Sequence, residues 1–174
     1  NNSTNLEIEC CKIAKKLSFK QLENNKLRSE EVAALASKIA SLPSLRQTLN
    51  LKQIEFANVN KKKYGGCILD GRDIGTKILP NANFKFFINA SVEIRAKRRL
   101  LEKNISFLHE NDEECMLQSL ISDITKRDLS DSRRKTSPLV PAEDAFIIDT
   151  SAINADEVMS IATKIIEGSN KIVG

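Results

Sequence analysis

The chain has 174 residues and a mass of 19.4 kDa, with 41% hydrophobic and 29% charged residues, a balance that fits one globular domain, or a domain with a small insert, around a buried core. No apolar run approaches the roughly 20 residues needed to span a bilayer, and no basic-then-apolar segment opens the chain, which argues against a membrane protein and a secreted precursor. Lys and Arg number 27 against 23 Asp and Glu, a net charge of +4, and so mild an excess suits an anionic small ligand as well as nucleic acid.

Taken in chain order, Leu6, Cys10, Ile13, Ala14 and Leu17 recur at helical spacing, which predicts a first helix. Leu17 to Leu22 is ambiguous and short enough for a strand. Ser29 is placed as an N-cap, with Glu30 and Glu31 in the first turn and Val32, Leu35, Ala36 and Ile39 on one face of a second helix. Pro43 starts a third, since its missing N–H costs nothing there, burying Leu45, Leu49 and Phe56 and ending near Lys61–Lys63. Gly65 and Gly66 break the chain before Cys67-Ile68-Leu69-Asp70, an apolar run that predicts a strand buried on both faces with Cys67 as a small core residue. Phe84–Ile88 and Ala145–Ile148 predict two more such strands. Between them lie a helix capped by Ser91 and running to Lys103, and one capped by Asn111 with Met116, Leu117, Leu120, Ile121 and Ile124 on its apolar face. A last helix follows from Asn154 to about Gly168. Apolar strands alternating with helices predict an α/β fold with a parallel sheet covered on both faces.

Four cysteines, Cys10, Cys11, Cys67 and Cys115, form no C-x-x-C pair, and His109 is the single histidine. Free thiols in a reducing cytosol are therefore expected, rather than zinc or disulfides. Tryptophan is absent and aromatic residues make up 5%, a poor supply of base-stacking platforms, which counts against a nucleic-acid-binding module.

Three constellations could carry chemistry. Asp70-Gly71-Arg72-Asp73-Ile74-Gly75-Thr76 follows the predicted strand end, where open α/β sheets bind ligands. Asp70 could hold magnesium through water and Arg72 could fork onto a phosphate, or the segment is a polar turn whose charges pair with one another. Arg127, Asp131 and Arg134 share one helical face. They suit either a nucleotide, with guanidiniums on phosphate and the acid on ribose, or a weak surface ladder. Arg95, Arg98 and Arg99 lie on a basic helix, either a solvated face or a clamp for a polyphosphate in transfer. Lys61–Lys63 is read as solvated, and His109 has no neighbours that would make it a base.

Four stretches together resemble the bacterial cytidylate kinases of the nucleoside monophosphate kinase family. They are LDGRDIGTKILPNANFKFFINAS (Leu69 to Ser91), EIRAKRRL (Glu93 to Leu100), KRDLSDSRRKTSPLVPAEDAFIIDTS (Lys126 to Ser151) and, more weakly, EEVAALASKIASLPSLRQTL (Glu30 to Leu49). The combination of D-G-R-D-x-G-T, R-D-x-x-D-x-x-R and P-L-x-P-A-x-D-A in this order is specific. The resemblance implies phosphoryl transfer from ATP to CMP or dCMP with Mg2+, in a cytoplasmic, monomeric enzyme without membrane or nucleic-acid partners. It implies that residues 1–45 form a partial monophosphate-binding region and 46–174 the kinase core, with a lid-like segment at about 101–126. By position, Arg72 and Arg134 resemble contacts to the acceptor phosphate, Arg127 and Asp131 contacts to its phosphate and ribose, and Asp73, Arg46 and Ser37 the cytosine readers. A carboxylate accepts from cytosine's exocyclic amine, whereas uracil would face Asp73 with a second acceptor, so CMP should be preferred over UMP. Asp70 resembles the acid near magnesium-bound waters, and Arg95 and Arg99 resemble lid arginines.

The family pattern begins with a strand, a glycine-rich phosphate loop ending in Gly-Lys-[Ser/Thr], and a helix, and this sequence contains no G-x-x-x-x-G-K-[ST]. In the three-layer family fold that strand is central in a five-stranded sheet of order 2-3-1-4-5. Its absence is expected to leave Cys67–Asp70 and Phe84–Ile88 each with an unpaired inner edge, and to leave these 174 residues inactive by themselves. The alternative is a non-catalytic nucleotide- or nucleic-acid-binding remnant of a kinase.

Overall fold

The computed structural model describes residues 2–18, 21, 27, 32, 35, 36, 39, 42–103, 109–133 and 139–170. It divides into two compact units, Asn1–Leu69 and Asp70–Gly174. In the first, α1 (Asn2–Lys16) and α2 (Pro43–Tyr64) pack on each other. Pro43 opens α2 as predicted, and Ala14, Leu45 and Ala57 are the buried residues between them. Polar contacts fix the pair at two points: Glu7 Oε1 accepts from the Ser44 N–H at 2.8 Å, and Lys52 Nζ donates to the Leu17 carbonyl at 3.2 Å. The helix ends where Gly65 takes a left-handed φ of 82° and donates to the Lys61 carbonyl at 3.1 Å, a conformation glycine adopts without Cβ strain. Of the predicted second helix, Val32, Leu35, Ala36 and Ile39 are helical, while Ser29 and most of the rest lie outside the described residues. So do Phe19 and Leu22 of the ambiguous stretch.

The second unit runs in order through a π-helical turn (Ile74–Ile78), β1 (Phe86–Asn89), α3 (Val92–Glu102), α4 (Glu110–Ser132), β2 (Phe146–Asp149) and α5 (Ala155–Asn170). β1 and β2 pair in parallel, Phe86 opposite Phe146 through Asn89 opposite Asp149. Bonds from Phe146 N–H to the Lys85 carbonyl (2.8 Å) and from Thr150 N–H to the Asn89 carbonyl (2.7 Å) extend the ladder. Two parallel strands need a crossover, and α3 with α4 supplies it. Ser91 caps α3, its Oγ accepting from the Ile94 N–H at 3.3 Å. Ala96, Leu100, Leu120 and Ile124 form the buried seam between α3 and α4, with Val92, Met116, Leu117 and Ile121 around it. A side chain as small as Ala96 at the centre of that seam lets the two helices approach closely.

The α/β class with parallel strands holds, but one predicted strand does not. Cys67–Asp70 is irregular backbone, Cys67 is exposed rather than a core residue, and Ile68 is 95% exposed. An apolar tetrapeptide becomes a strand only when neighbours take its N–H and C=O groups, and among the described residues none forms a ladder with it. Full burial of the strands also fails. Ile148 is buried while Ile88, Phe146 and Ile147 are exposed, because a two-stranded sheet lacks the layers that cover both faces of a larger one. The fourth helix starts at Glu110, so His109 and not Asn111 occupies its cap position. All four cysteines are free thiols. Among the described residues, no helix is long and apolar enough to cross a membrane.

Candidate functional site

The segment after Asp70 is wound by bonds of π-helical span, from the Ile78 N–H to the Asp73 carbonyl (3.2 Å) and from the Leu79 N–H to the Ile74 carbonyl (2.7 Å). Such turns are rare and concentrate at functional sites. Gly71 permits the close passage before it: a Cβ there would sit 2.9 Å from Ile74 Cγ1. Arg72 projects from this bend to α4, where its Nε donates to Asp131 Oδ2 at 2.7 Å. Arg127, one turn earlier on α4, brings its Nε to 4.0 Å from the same oxygen. Asp131 is only 2% exposed. A carboxylate so far out of water persists because guanidiniums compensate its charge.

Arg95 on α3 forms a complete fork. Its Nη1 and Nη2 donate to the two oxygens of Asp128 at 3.0 and 2.6 Å, and its Nε donates to the Ala90 carbonyl at 3.1 Å. The fork's hydrogen bonds hold the Asp128 carboxyl below its usual range, against the opposing effect of burial, with the charges of Arg95, Arg72 and Arg127 adding to the shift. The Asp128 hydrogen bonds in turn raise the Arg95 guanidinium further above its ordinary value. Residues 127, 128 and 131 therefore present one face of α4 on which three guanidiniums from three stretches of chain alternate with two carboxylates.

The remaining expected residues fall as follows. Arg99 lines, with Arg95, Arg98, Glu102 and Ile124, an open surface depression of about 220 Å³ beside the cluster. Asp73 is half-buried at the head of the π-helical turn. Asp70 is exposed, and among the described residues no hydrogen bond or ion pair engages it. A single exposed carboxylate suits Mg2+, which keeps several waters and takes phosphate oxygens; no group of three or more metal-ligating side chains occurs among the described residues. Arg46 is half-buried on α2, in the other compact unit. Ser37 and Arg134 lie outside the described residues.

Sequence reasoning missed Asp128, although it adjoins Arg127 in the R-D-x-x-D-x-x-R series. A carboxylate one residue out of the i, i+4, i+7 pattern gave no sign of a partner 33 positions away. It also missed what Arg98 does. Arg98 Nη1 donates to Thr150 Oγ1 (3.0 Å) and Nη2 to the Thr150 carbonyl (2.5 Å), pinning the buried residue that follows β2. Only the density of arginines in EIRAKRRL hinted at it.

Comparison with known proteins bears directly on this arrangement. The family model described as cytidylate kinase matches residues 3–168. The chain is 42% identical over 153 residues to the cytidylate kinase of Paramagnetospirillum magneticum, covering 88% of this chain and 70% of that one. It is 39% identical over 157 residues to that of Methylocella silvestris, covering 90% and 68%, and 43% identical over 150 residues to that of a Geobacillus species, covering 86% and 61%. The match takes in both compact units and every member of the arginine–aspartate cluster, and the chain belongs to the cytidylate kinase family.

Proposed function

We propose that this chain binds CMP or dCMP, the acceptor of ATP's terminal phosphoryl group in the cytidylate kinase reaction that gives CDP or dCDP, and that the cluster on α4 is its acceptor-phosphate site. The observation that carries this is the convergence of Arg72 and Arg127 on one buried carboxylate, Asp131. Arg72 commits only its Nε to Asp131, and among the described residues no acceptor takes its two terminal nitrogens. These remain to fork onto a phosphate. Arg134 is proposed as a further contact to that phosphate, and Asp131 as the group reaching ribose. Asp73 accepts from the exocyclic amine of cytosine. Arg95 and Arg99 face the donor's phosphates beside the open depression they line. Asp70 would hold Mg2+ through water, and the ion would supply charge compensation for the phosphate oxygens.

Calorimetric titration with CMP, UMP and a short RNA tests the site. Binding of CMP ahead of UMP, lost on Arg72→Ala, is expected, and Asp73→Ala should abolish the preference between the two. Equal CMP binding by parent and Arg72→Ala refutes the assignment, and tight RNA binding with no CMP binding favours a nucleic-acid-binding remnant. The 174 residues contain no Gly-x-x-x-x-Gly-Lys-[Ser/Thr] segment, whose backbone N–H groups and lysine cradle a donor's phosphates. A coupled assay on this polypeptide is therefore expected to show no ADP release, and turnover above background would refute that expectation.

A further inference from the structure

Lys85 immediately precedes β1 and is 9% exposed. A lysine ammonium tolerates such burial only with its donors satisfied. Here Nζ donates to both carboxylate oxygens of Asp144 at 2.7 Å and to the Pro80 carbonyl. Lys85 also accepts, through its backbone carbonyl, the Phe146 N–H that starts the sheet ladder. One residue therefore ties together the chain just after the π-helical turn, the turn before β2, and the start of β1. Its stem does a second thing. A Cβ built on Gly75 would lie 3.3 Å from Lys85 Cδ and 3.5 Å from Cγ, with Ala142 Cβ at 3.7 Å, so the aliphatic part of the lysine is the surface on which the π-helical turn rests. The Asp144 carboxyl is drawn below its usual range, foremost by its hydrogen bonds from Lys85.

The segment Arg72–Ile78 is consequently held from two sides. Arg72 is anchored to Asp131 at one end, and Gly75 in the middle is seated on Lys85. We propose that Lys85, through its pairing with Asp144 and its contact with Gly75, is a positioning residue that sets where Arg72 and Asp73 stand for the acceptor nucleotide. The lysine touches no nucleotide itself and acts only through the turn, on the CMP-binding function proposed above. Burial of the Lys85 ammonium is poor support for a purely stabilising role, because apolar replacements of buried ionic groups often fold as well or better. A lysine at this spot is therefore better explained by the geometry it imposes.

Lys85→Met keeps the stem's volume and removes the ammonium, and Asp144→Asn removes the charge of a side chain that is 65% exposed while keeping an acceptor oxygen for Lys85. CMP and UMP affinities of both variants and the parent are measured by calorimetry at a temperature where circular dichroism shows all three folded. We expect Lys85→Met to weaken CMP binding roughly tenfold, equivalent to about 1.4 kcal/mol. The CMP-to-UMP ratio should narrow with it, and Asp144→Asn should shift both in the same direction by less. A purely structural lysine would lower the unfolding midpoint and leave that ratio untouched. CMP binding within twofold of the parent in both variants overturns the role of Lys85 while the acceptor site stands. A parent that binds no CMP overturns the acceptor site first and the positioning role with it. Should Lys85→Met fail to fold, an Asp144→Asn protein with parental affinities and ratio overturns the proposal by itself.

Discussion

Replacing Arg72 by Met removes a 2.7 Å contact to a carboxylate that is almost wholly out of water. Two limits bracket the cost. Exposed ion pairs contribute about 0–1 kcal/mol, and stranding a buried charge costs about 3–5 kcal/mol. The Arg72–Asp131 pair lies between them, because Asp131 is 2% exposed but the Arg72 side chain is 43% exposed. Arg127 also stays within 4.0 Å of the same oxygen and keeps the acid partly compensated. A charge-assisted hydrogen bond of 2.7 Å then sets the scale, about 2 kcal/mol. Since the molecule comprises two compact units, global unfolding need not be two-state. The sharper assay is native-state hydrogen exchange on peptides from α4, where 2 kcal/mol reads as roughly thirtyfold faster exchange at the slowest amides. A double-mutant cycle with Asp131→Asn should return a coupling of about 1.5–2 kcal/mol. A coupling under about 0.5 kcal/mol, the scatter of independent sites, would show that this pair does not hold the cluster together.

The other predictions concern neighbouring parts of the second unit. Because the folded Asp128 carboxyl sits below its usual range, its stabilising contribution is fully present above the unfolded value of about 3.9 and is lost as pH falls through the lowered folded value. The urea midpoint of Asp128→Asn should accordingly trail the parent at pH 7, by an amount equivalent to about 1 kcal/mol for a part-exposed fork, and meet it at the acid end. Ile124, 2% exposed in the α3–α4 seam, should cost about 2–5 kcal/mol as Ile124→Ala, seen as faster exchange in α3 and α4 together. Gly71→Ala drives a Cβ to within 2.9 Å of Ile74 Cγ1; calorimetry should show weakened CMP binding, restored in part by adding Ile74→Ala.

Local chemistry made the helices legible. Ser91 before an apolar-periodic stretch, Pro43 at a helix start and Gly65 after a helix end each act within a turn or two of themselves, and the structure places each where that local reading put it. The same holds for the seam residues Leu120 and Ile124, whose spacing fixes one face of α4. Cys67–Asp70 misled because strand formation is not local: an apolar run records a tendency to be buried, while a ladder needs a neighbour that the run itself does not encode. At the site, the guanidiniums were visible as residue types at suggestive spacings, and Arg72, Arg95, Arg127 and Asp131 do converge. The residues that hold them there were not visible. Asp128 and Lys85 earn their positions from partners 33 and 59 positions away, distances at which no periodicity speaks.

How the arginines are held also separates them in what they can do next. Like charges a few ångströms apart repel by up to about 4 kcal/mol at an effective dielectric near 20, so three guanidiniums on one face require the two aspartates interleaved among them. Those aspartates engage the arginines unequally. Arg72 gives Asp131 its Nε alone, so an incoming phosphate can be forked by its terminal nitrogens while the anchor persists, and the donor is oriented before the ligand arrives. Arg95 has already committed Nε, Nη1 and Nη2 to Ala90 and Asp128. Each Nη keeps a second N–H for a single contact, but Arg95 can fork onto a phosphate only by surrendering part of these bonds, an exchange of one charge-assisted pair for another. On the proposed assignment, a forked phosphate at Arg72 therefore needs no rearrangement of the cluster, whereas a forked phosphate at Arg95 requires one, so the acceptor contact would be ready before the contact to the donor.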